Sequence, residues 1–238
     1  MATAHKVFVL LSGGVDSTTT LAIAVDEFPK ADSYEAVTVN YGQRHIKEME
    51  SAKWQAGRYG ASHHVLDLSG LLTGMLVDKG ENNDTIPNVD YADLDPGISP
   101  TYVSFRNGTM LSVLAARAQS WVMAMGKAGF EAEATLYCGV HADDGVNWAY
   151  PDCTPEFIGP MSAAIFTGTY NKVRLRAPLL YLTKPAVVRE GVRLGVDYGH
   201  TWSCYVGADV HCGVCPTCRS RKAAFVDNGL VDPTEYAE

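Results

Sequence analysis

Short apolar runs and longer amphipathic stretches alternate along the chain. Five runs rich in apolar and β-branched residues predict strands, at residues 5–11, 36–40, 63–68, 135–140 and 171–176. Amphipathic stretches predict helices, at residues 18–28, 48–59, 154–168, 184–194 and 216–227. A longer helix is predicted before the fourth strand, from one apolar face that carries Met110, Leu114, Trp121, Val122 and Met125. This alternation indicates an α/β fold, doubly wound, with a mainly parallel sheet.

Turn and cap residues set several of the predicted boundaries. Thr154 is placed as the cap and Pro155 as the first residue of one helix. Gly195 is expected to end the helix at residues 184–194. Between residues 70 and 100, clusters of Asn, Asp, Pro and Gly predict a long loop, and loops of this length in a compact domain usually carry function.

Composition and charge narrow the class of protein. The chain has 238 residues, of which 47% are hydrophobic and 19% are charged, as in ordinary globular domains. No apolar run approaches the length needed to span a membrane. The net charge of −8 disfavours an extended nucleic-acid groove and favours a small-molecule substrate. Because MATAHKVF leads directly into a strand with no visible signal peptide, we expect a cytoplasmic protein.

Four cysteines near the C-terminus have the spacing of a metal site. Cys204, Cys212, Cys215 and Cys218 form the pattern C-x7-C-x2-C-x2-C, in which each C-x2-C step lets a tight turn aim two sulfurs at one ion. A pair of disulfides is the alternative, but a reducing compartment would not preserve them. We therefore predict a zinc ion, and because all four ligands are protein thiolates we expect it to be structural.

A glycine-rich turn follows the first predicted strand and precedes the first predicted helix. The string SGGVDS at residues 12–17 can form an anion site, because backbone N–H groups and the helix dipole favour phosphate at a helix N-terminus. It matches neither the Walker pattern G-x-x-x-x-G-K-[ST] nor the dinucleotide pattern G-x-G-x-x-G. Asp16 would repel a polyphosphate unless a cation lay between them, which favours a metal–nucleotide complex. A helix-capping role is the alternative for Asp16.

Polar segments also flank other predicted elements. They are NYGQRH at residues 40–45, VSFRNG at 103–108, GVHADD at 139–144 and WAYPDC at 148–153. In a doubly wound sheet, ligands bind beyond the carboxyl ends of the strands, so these segments are expected to converge on one site. Taken alone, His141 reads as an ordinary surface histidine and Cys138 as a small buried hydrophobic residue.

The SGGVDS string resembles the PP-loop of N-type ATP pyrophosphatases, which cleave ATP between the α and β phosphates to adenylate a substrate oxygen. Together with the other polar segments, Thr183-Lys184 and the four cysteines, it resembles one branch of that family, the 7-cyano-7-deazaguanine synthases, along nearly the whole chain. The resemblance implies a PP-loop ATP pyrophosphatase domain at residues 1–200 and a zinc-binding subregion at residues 201–238 within the same compact unit. Ser104 stands where that family usually has proline, and the loss of a fixed φ should loosen this loop.

The resemblance implies a reaction as well. The substrates would be 7-carboxy-7-deazaguanine, ATP and ammonia. Adenylation would turn the poorly electrophilic carboxylate into a mixed anhydride that ammonia attacks, and a second ATP would activate the amide for dehydration to the nitrile. Structural Zn²⁺, ATP bound with Mg²⁺ and pairing into a homodimer are further implications.

Residue roles follow from the matched positions. ATP is expected at Leu11, Ser12, Gly13, Gly14, Val15, Asp16, Ser17 and Thr18. The candidate catalytic residues are Asp16, which would lie near Mg²⁺, and Arg106 and Lys184, which would neutralise charge on phosphates or in the transition state. The candidate substrate residues, which could stack on the base or read its edge, are Tyr41, Gln43, Arg106, Tyr150 and Asp152. Surface ion pairs are the alternative for Arg106 and Lys184.

Three other functions stay open at this point. The same loop serves enzymes that adenylate tRNA for sulfur insertion, a reaction for which Cys153 is the one spare cysteine candidate. A related scaffold could join the deazaguanine acid to another amine. The non-enzyme alternative is a zinc ribbon that binds nucleic acid through the basic residues Arg219, Arg221 and Lys222.

Overall fold

A single parallel sheet organises the structure, a computed structural model that describes residues 3–42, 46–71, 99, 101–206 and 209–237. Within these residues the strands are β1 Ala4–Leu10, β2 Ser33–Asn40, β3 Ser62–Asp67, β4 Ala132–Tyr137 and β5 Val173–Arg176. Their order is β3-β2-β1-β4-β5, and every neighbouring pair is parallel. Because the strand order departs from β1 in both directions, the topological switch point lies beside β1, where ligands bind in such folds.

Helices cover both faces of this sheet. In the described residues they are α1 Val15–Glu27, α2 Ile46–Arg58, α3 Arg106–Lys127, α4 Pro155–Gly168, α5 Lys184–Arg193 and α6 Pro216–Asp227. α3 and α4 pack on one face, whereas α1 and α2 pack on the other. β1 contributes to both cores, since Phe8 belongs to the first and Val7 and Val9 belong to the second. α5 and α6 pack with α1 in a third core.

The predicted α/β fold with a parallel sheet is confirmed, with one strand displaced along the sequence. β4 spans residues 132–137 instead of 135–140. β4 ends early because the chain must pass close to the glycine-rich loop at Gly139. A Cβ at this position would lie 3.1 Å from the Asp16 carbonyl oxygen. Cys138 therefore follows the strand, and it is buried as predicted. Most of the loop predicted between residues 70 and 100 falls outside the described residues.

Two predicted helix boundaries are confirmed. Thr154 is the N-cap residue of α4 and Pro155 is its first residue, although no side-chain hydrogen bond caps this helix. The Thr154 hydroxyl donates to the Pro151 carbonyl at 2.8 Å, because a 3₁₀ turn at residues 151–153 presents that carbonyl to it. Gly195 ends α5 as predicted, with φ +70° and its N–H bonded to the Val192 carbonyl.

A buried cation joins α6 to the chain segments around it. Arg221 is fully buried, and its Nε and Nη2 donate to Asp232 at 2.9 and 3.0 Å. It also donates to the Thr201 hydroxyl and the Tyr198 carbonyl. This cation is neutralised inside the protein, so Arg221 is not available to bind nucleic acid. The zinc-ribbon alternative therefore loses one of the three basic residues that supported it. Across the described residues, no helix has the length and hydrophobicity to cross a membrane.

Candidate active site

Two backbone requirements explain the glycine-rich loop between β1 and α1. Gly13 has φ +83°, and a Cβ at this position would lie 2.5 Å from the Glu48 carbonyl oxygen in α2. The Gly13 carbonyl in turn accepts the Trp202 N–H at 2.9 Å, so a residue near the C-terminus braces the loop. Gly14 is the N-cap of α1 and no side chain caps this helix. The N–H groups of the first turn of α1 are therefore left for an anion.

Hydroxyl groups hold this loop in shape. The Ser17 hydroxyl accepts the Ser12 N–H and donates to the Gly14 carbonyl, both at 3.2 Å. Thr18 is fully buried and packs inside the protein. Because Gly14 is the N-cap residue, Asp16 lies within the first helical turn and is not the capping residue that the alternative interpretation proposed.

A cavity of about 240 Å³ opens at the carboxyl ends of β1, β2 and β4. The predicted site residues that line it are Leu11, Ser12, Gly14, Val15, Asp16, Ser17, Tyr41, Arg106 and Lys184. Among the described residues, those predicted for the site that do not line it are Gly13, Thr18, Tyr150 and Asp152. Gln43 lies outside the described residues. A larger cavity of about 470 Å³ beside Trp54 shares only Trp202 with the first and has no glycine-rich loop in its wall.

Asp16 and Lys184 form an ion pair inside the smaller cavity. Lys184 Nζ lies 2.7 and 2.6 Å from the two Asp16 carboxylate oxygens, and only 13% of the lysine side chain is exposed. Burial alone would raise the pKa of Asp16, but Lys184 and His141 outweigh it, and the net pKa lies below its usual value. Asp16 is thus a carboxylate at neutral pH. The surface ion pair considered for Lys184 is wrong, because the lysine points into the cavity wall.

His141 is packed against this pair. Its Nε2 lies 3.3 Å from Asp144 Oδ1 and 3.5 Å from Lys184 Nζ. The ring is buried, and its Nδ1 has no hydrogen-bond partner in the part of the chain that is described. The interpretation of His141, taken alone, as a surface residue is therefore wrong. A histidine in a loop carries no periodic signal that distinguishes the cavity from solvent, and only the expected convergence of residues 139–144 on one site pointed to it.

Arg106, Tyr41 and Glu48 form a second group of polar side chains on the cavity wall. Arg106 Nη1 donates to the Tyr41 hydroxyl at 3.3 Å, and the guanidinium lies 5.6 Å from the centre of the Tyr41 ring. Burial raises the pKa of Glu48 to about 7, although Arg106 acts in the opposite direction. Sequence reasoning missed Glu48, which reads as a solvent-facing position at the start of an amphipathic helix.

Tyr150 and Asp152 lie behind the wall that carries Arg106. Asp152 is buried and accepts the backbone N–H of Asn107 at 2.9 Å, at the start of α3. The Tyr150 hydroxyl bonds to the hydroxyl groups of Ser99 and Thr101. Both contacts brace the loop on which Arg106 sits. This bracing matters because Phe105, the residue before Arg106, has a left-handed backbone with φ +51°.

Cys153 lines the cavity but is a poor nucleophile there. Its Sγ accepts the Asn107 side-chain amide at 3.0 Å. Burial first, and then the carboxylates of Asp144 and Asp152, raise the pKa of the Cys153 thiol well above its usual value. Since the thiolate is the reactive form, this surrounding disfavours the sulfur-insertion chemistry that the tRNA alternative requires.

The four predicted metal ligands come together in space. The Sγ atoms of Cys204, Cys212, Cys215 and Cys218 all lie within 4.8 Å of one another, close enough to share one metal ion. Backbone N–H groups of Val206, Cys212 and Cys215 donate to these sulfurs at 3.3 Å. Such N–H donors favour the thiolate forms that bind metal.

Residues around the cysteine cluster also form part of the cavity wall. The residues between and beside its cysteines that line the cavity are Trp202, Ser203, Tyr205, Thr217 and Ser220. This wall was not anticipated, because the spacing of the cysteines predicts a metal site but not the element against which the knuckle packs. The C-terminal residues therefore complete the cavity beside the glycine-rich loop, to which the Trp202 N–H joins them.

A parallel α/β sheet, with a glycine-rich loop at its switch point and a cluster of four cysteines beside the same cavity, defines a PP-loop-like class of enzymes. The chain belongs to the family described as Queuosine biosynthesis protein QueC, whose model matches residues 6–229. It is 37% identical to the 7-cyano-7-deazaguanine synthase of Thermoplasma acidophilum over 97% of this chain and 92% of that protein. It is 39% identical to the 7-cyano-7-deazaguanine synthase of Ralstonia pickettii over 97% of this chain and 98% of that protein.

A more remote likeness is found among solved structures. The U34-tRNA thiolase NcsA of Methanococcus maripaludis is 16% identical, with a TM-score of 0.43, over 95% of this chain and 67% of that one. A similarity at this level carries no argument about the function or the metal of this protein.

Proposed function

We propose that this protein converts 7-carboxy-7-deazaguanine and ammonia to 7-cyano-7-deazaguanine at the expense of ATP. The observation that carries the proposal is one cavity that combines an uncapped helix N-terminus, the Asp16–Lys184 pair and Arg106. Relatives that match nearly the whole chain bear the name of this synthase, which supports the same assignment.

The first step is adenylation of the substrate carboxylate. One carboxylate oxygen attacks the α-phosphorus of ATP, and pyrophosphate leaves with the bonding electrons. The loop at residues 12–17 is suited to pyrophosphate because the dipole and N–H groups of α1 favour anions. Lys184 and Arg106 add positive charge that stabilises the transition state. Asp16 would hold Mg²⁺, which would supply charge neutralisation when it is bound with ATP.

The second step forms the amide, and the third forms the nitrile. Ammonia attacks the acyl carbon, and AMP leaves. A second ATP then adenylates the amide oxygen, and loss of AMP together with the N–H protons gives the nitrile. The acyl-adenylate must be kept from water throughout. Apolar side chains in the cavity wall serve this need, among them Val37, Val39, Met110 and Val140.

The predicted substrate residues divide into three groups. Tyr41 lines the cavity and is proposed to contact the planar base, with Arg106 alongside it. Gln43 is proposed from the sequence alone as a reader of the base edge. The buried contacts of Asp152 and Tyr150 support a positioning role, in which they hold the Arg106 loop instead of touching the base.

We propose Zn²⁺ as the ion of the cysteine cluster. The donor set fits it, because the cluster consists of four thiols with no histidine or carboxylate in it, and such sites are tetrahedral and closed. Held by Cys204, Cys212, Cys215 and Cys218, the ion would stabilise the knuckle and, through it, the cavity wall. With no coordination position left for a substrate, it would take no direct part in the chemistry.

The proposed function is tested by identifying the products of the purified protein. With 7-carboxy-7-deazaguanine, ammonia and Mg²⁺–ATP, we expect AMP and pyrophosphate, together with the mass of the nitrile. ADP and orthophosphate as first products, with pyrophosphatase absent, would overturn the proposal. A product mass that contains another amine would instead favour the alternative in which the acid is joined to that amine.

A further inference from the structure

Two cavity-lining carboxylates have no part in the proposed reaction, Glu48 and Asp144, and of these Asp144 is engaged by His141 at 3.3 Å. Glu48 lies in the first turn of α2, is partly buried, and shares the cavity wall with Asp16, Lys184 and Arg106. Asp16 is neutralised by Lys184 at 2.6 Å. The Glu48 carboxylate, by contrast, makes no hydrogen bond or ion pair with any residue that the structure describes. It is therefore an acceptor left available inside the site.

The backbone of Glu48 is fixed against the glycine-rich loop. Its carbonyl oxygen lies where a Cβ on Gly13 would be only 2.5 Å away, so α2 packs on the loop at backbone contact distance. Among the described residues, the charged or titratable groups that face Glu48 from other elements are Arg106 of α3 and Tyr41 beyond β2. On its own helix, Lys47 is engaged elsewhere, with Asp209 and the Trp202 ring.

We propose that Glu48 accepts the proton released when ammonia attacks the acyl-adenylate, an inference that rests on the proposed function. The nitrogen lone pair forms the C–N bond, and the bond between the acyl carbon and the AMP oxygen breaks with its electrons on the phosphate. One N–H proton passes to the Glu48 carboxylate. The products are the amide, AMP and protonated Glu48, which returns its proton to water.

The electrostatics of the site suit this role. Burial raises the pKa of Glu48 to about 7, while nearby Arg106 opposes this rise and keeps the carboxylate populated. A group whose pKa lies near the working pH can both take up and release a proton in each turnover. Below that pH Glu48 is protonated and cannot accept, so amide formation should fall as the pH drops through about 7.

The test separates adenylation from amide formation. Adenylation of a carboxylate transfers no proton, so exchange of labelled pyrophosphate into ATP, dependent on the acid, reports this step alone. In Glu48→Gln we expect exchange within about threefold of wild type, whereas nitrile formation falls about 10²–10⁴-fold. The matched control is Glu50→Gln, because Glu50 lies on the same helix, is exposed and does not line this cavity. This control should behave as wild type in both assays.

Three further measurements sharpen the result. Hydroxylamine is less basic than ammonia, so its adduct gives up a proton to water more readily, and it should restore product formation in Glu48→Gln as the hydroxamate. When rates are expressed per concentration of free ammonia, which falls with pH for both proteins, the remaining acid limb of the wild-type profile should disappear in Glu48→Gln. Glu48→Asp retains a carboxylate and should keep more nitrile activity than the glutamine variant.

Several outcomes would overturn the proposal. Nitrile formation by Glu48→Gln at the wild-type rate would show that no proton passes through this residue. Equal losses of exchange and nitrile formation, with a raised KM for the acid, would show a binding role. Equal activities of Glu48→Asp and Glu48→Gln would show that the carboxylate is not needed. Absence of acid-dependent exchange in the wild-type protein would refute the proposed function itself.

Discussion

Replacement of Gly13 by alanine should damage both stability and turnover, and the structure allows the two effects to be sized. The new Cβ would lie 2.5 Å from a backbone oxygen and 2.6 Å from the backbone nitrogen of Ala52. Neither atom can rotate away as a side chain could. Ordinary contact begins at 3.4 Å, so the loop or α2 must move by about 1 Å, a displacement that can cost about 10²-fold in rate when it misplaces reacting groups.

Gly60→Ala is the matched control for this substitution. Gly60 also has a positive φ, of +66°, but no atom lies within 4 Å of the position that its new Cβ would occupy. Gly60→Ala should therefore destabilise the fold only through a non-glycine residue at positive φ, by about 1 kcal/mol. This corresponds to a fall in Tm of about 2–4 °C for a chain of this size. Gly13→Ala adds the overpacking penalty, about 1–3 kcal/mol, so its Tm should fall about two to four times as far.

The assay is the initial rate of AMP formation in the presence of the acid, measured with Tm for both variants. Gly60→Ala should turn over at the wild-type rate, whereas Gly13→Ala should lose about 10²-fold. If the two variants had the same Tm and the same rate, the close approach of α2 to the loop would have no energetic consequence, and the reasoning would fail.

Other substitutions test the remaining features. Asp16→Ala should lower acid-dependent AMP formation about 10²-fold or more and should also lower Tm, because it strips Lys184 of its partner; turnover at the wild-type rate would contradict its role. Cys215→Ser should reduce bound metal, Tm and turnover together, since the knuckle forms part of the cavity; full activity in folded, metal-free protein would argue against this coupling. Burial raises the pKa of Asp232, but Arg221 outweighs this effect, and the net pKa lies below its usual value. The contribution of the Asp232–Arg221 pair to the free energy of unfolding should therefore be full above about pH 4 and should be lost as the pH falls through the folded-state pKa of Asp232. Asp232→Asn should accordingly destabilise by about 3–5 kcal/mol, and an unchanged Tm at neutral pH would disprove the buried pair. Light scattering should show a homodimer, and a mass near 25.7 kDa would rule it out.

Local sequence patterns were sufficient for the elements but not for their arrangement. The apolar run ending at Leu10 and the helical spacing around Leu21 report which residues are buried, and the structure buries them. The placement of β4 beside β1, which creates the switch point, depends on contacts between residues more than a hundred positions apart. No local pattern encodes such a pairing.

The candidate site shows the same division. Asp16 and Lys184 were predicted separately from motif positions, and their ion pair joins residues that are distant along the chain. Glu48 escaped prediction because an amphipathic helix exposes some residues to solvent and others to a cavity with the same spacing. Asp152 lies behind the cavity because its carboxylate accepts a backbone N–H at the start of α3. The need for this acceptor cannot be recognised until the folded loop is known.

The hydrogen bond from Trp202 to Gly13 ties the order of protein synthesis to the onset of activity. The glycine-rich loop leaves the ribosome almost two hundred residues before the C-terminal wall with its cysteines. A nascent chain that has reached only the loop therefore lacks the residues that complete the cavity. We expect such a chain to form no acyl-adenylate until the C-terminal wall has folded against the loop and the Trp202 N–H has bonded to Gly13.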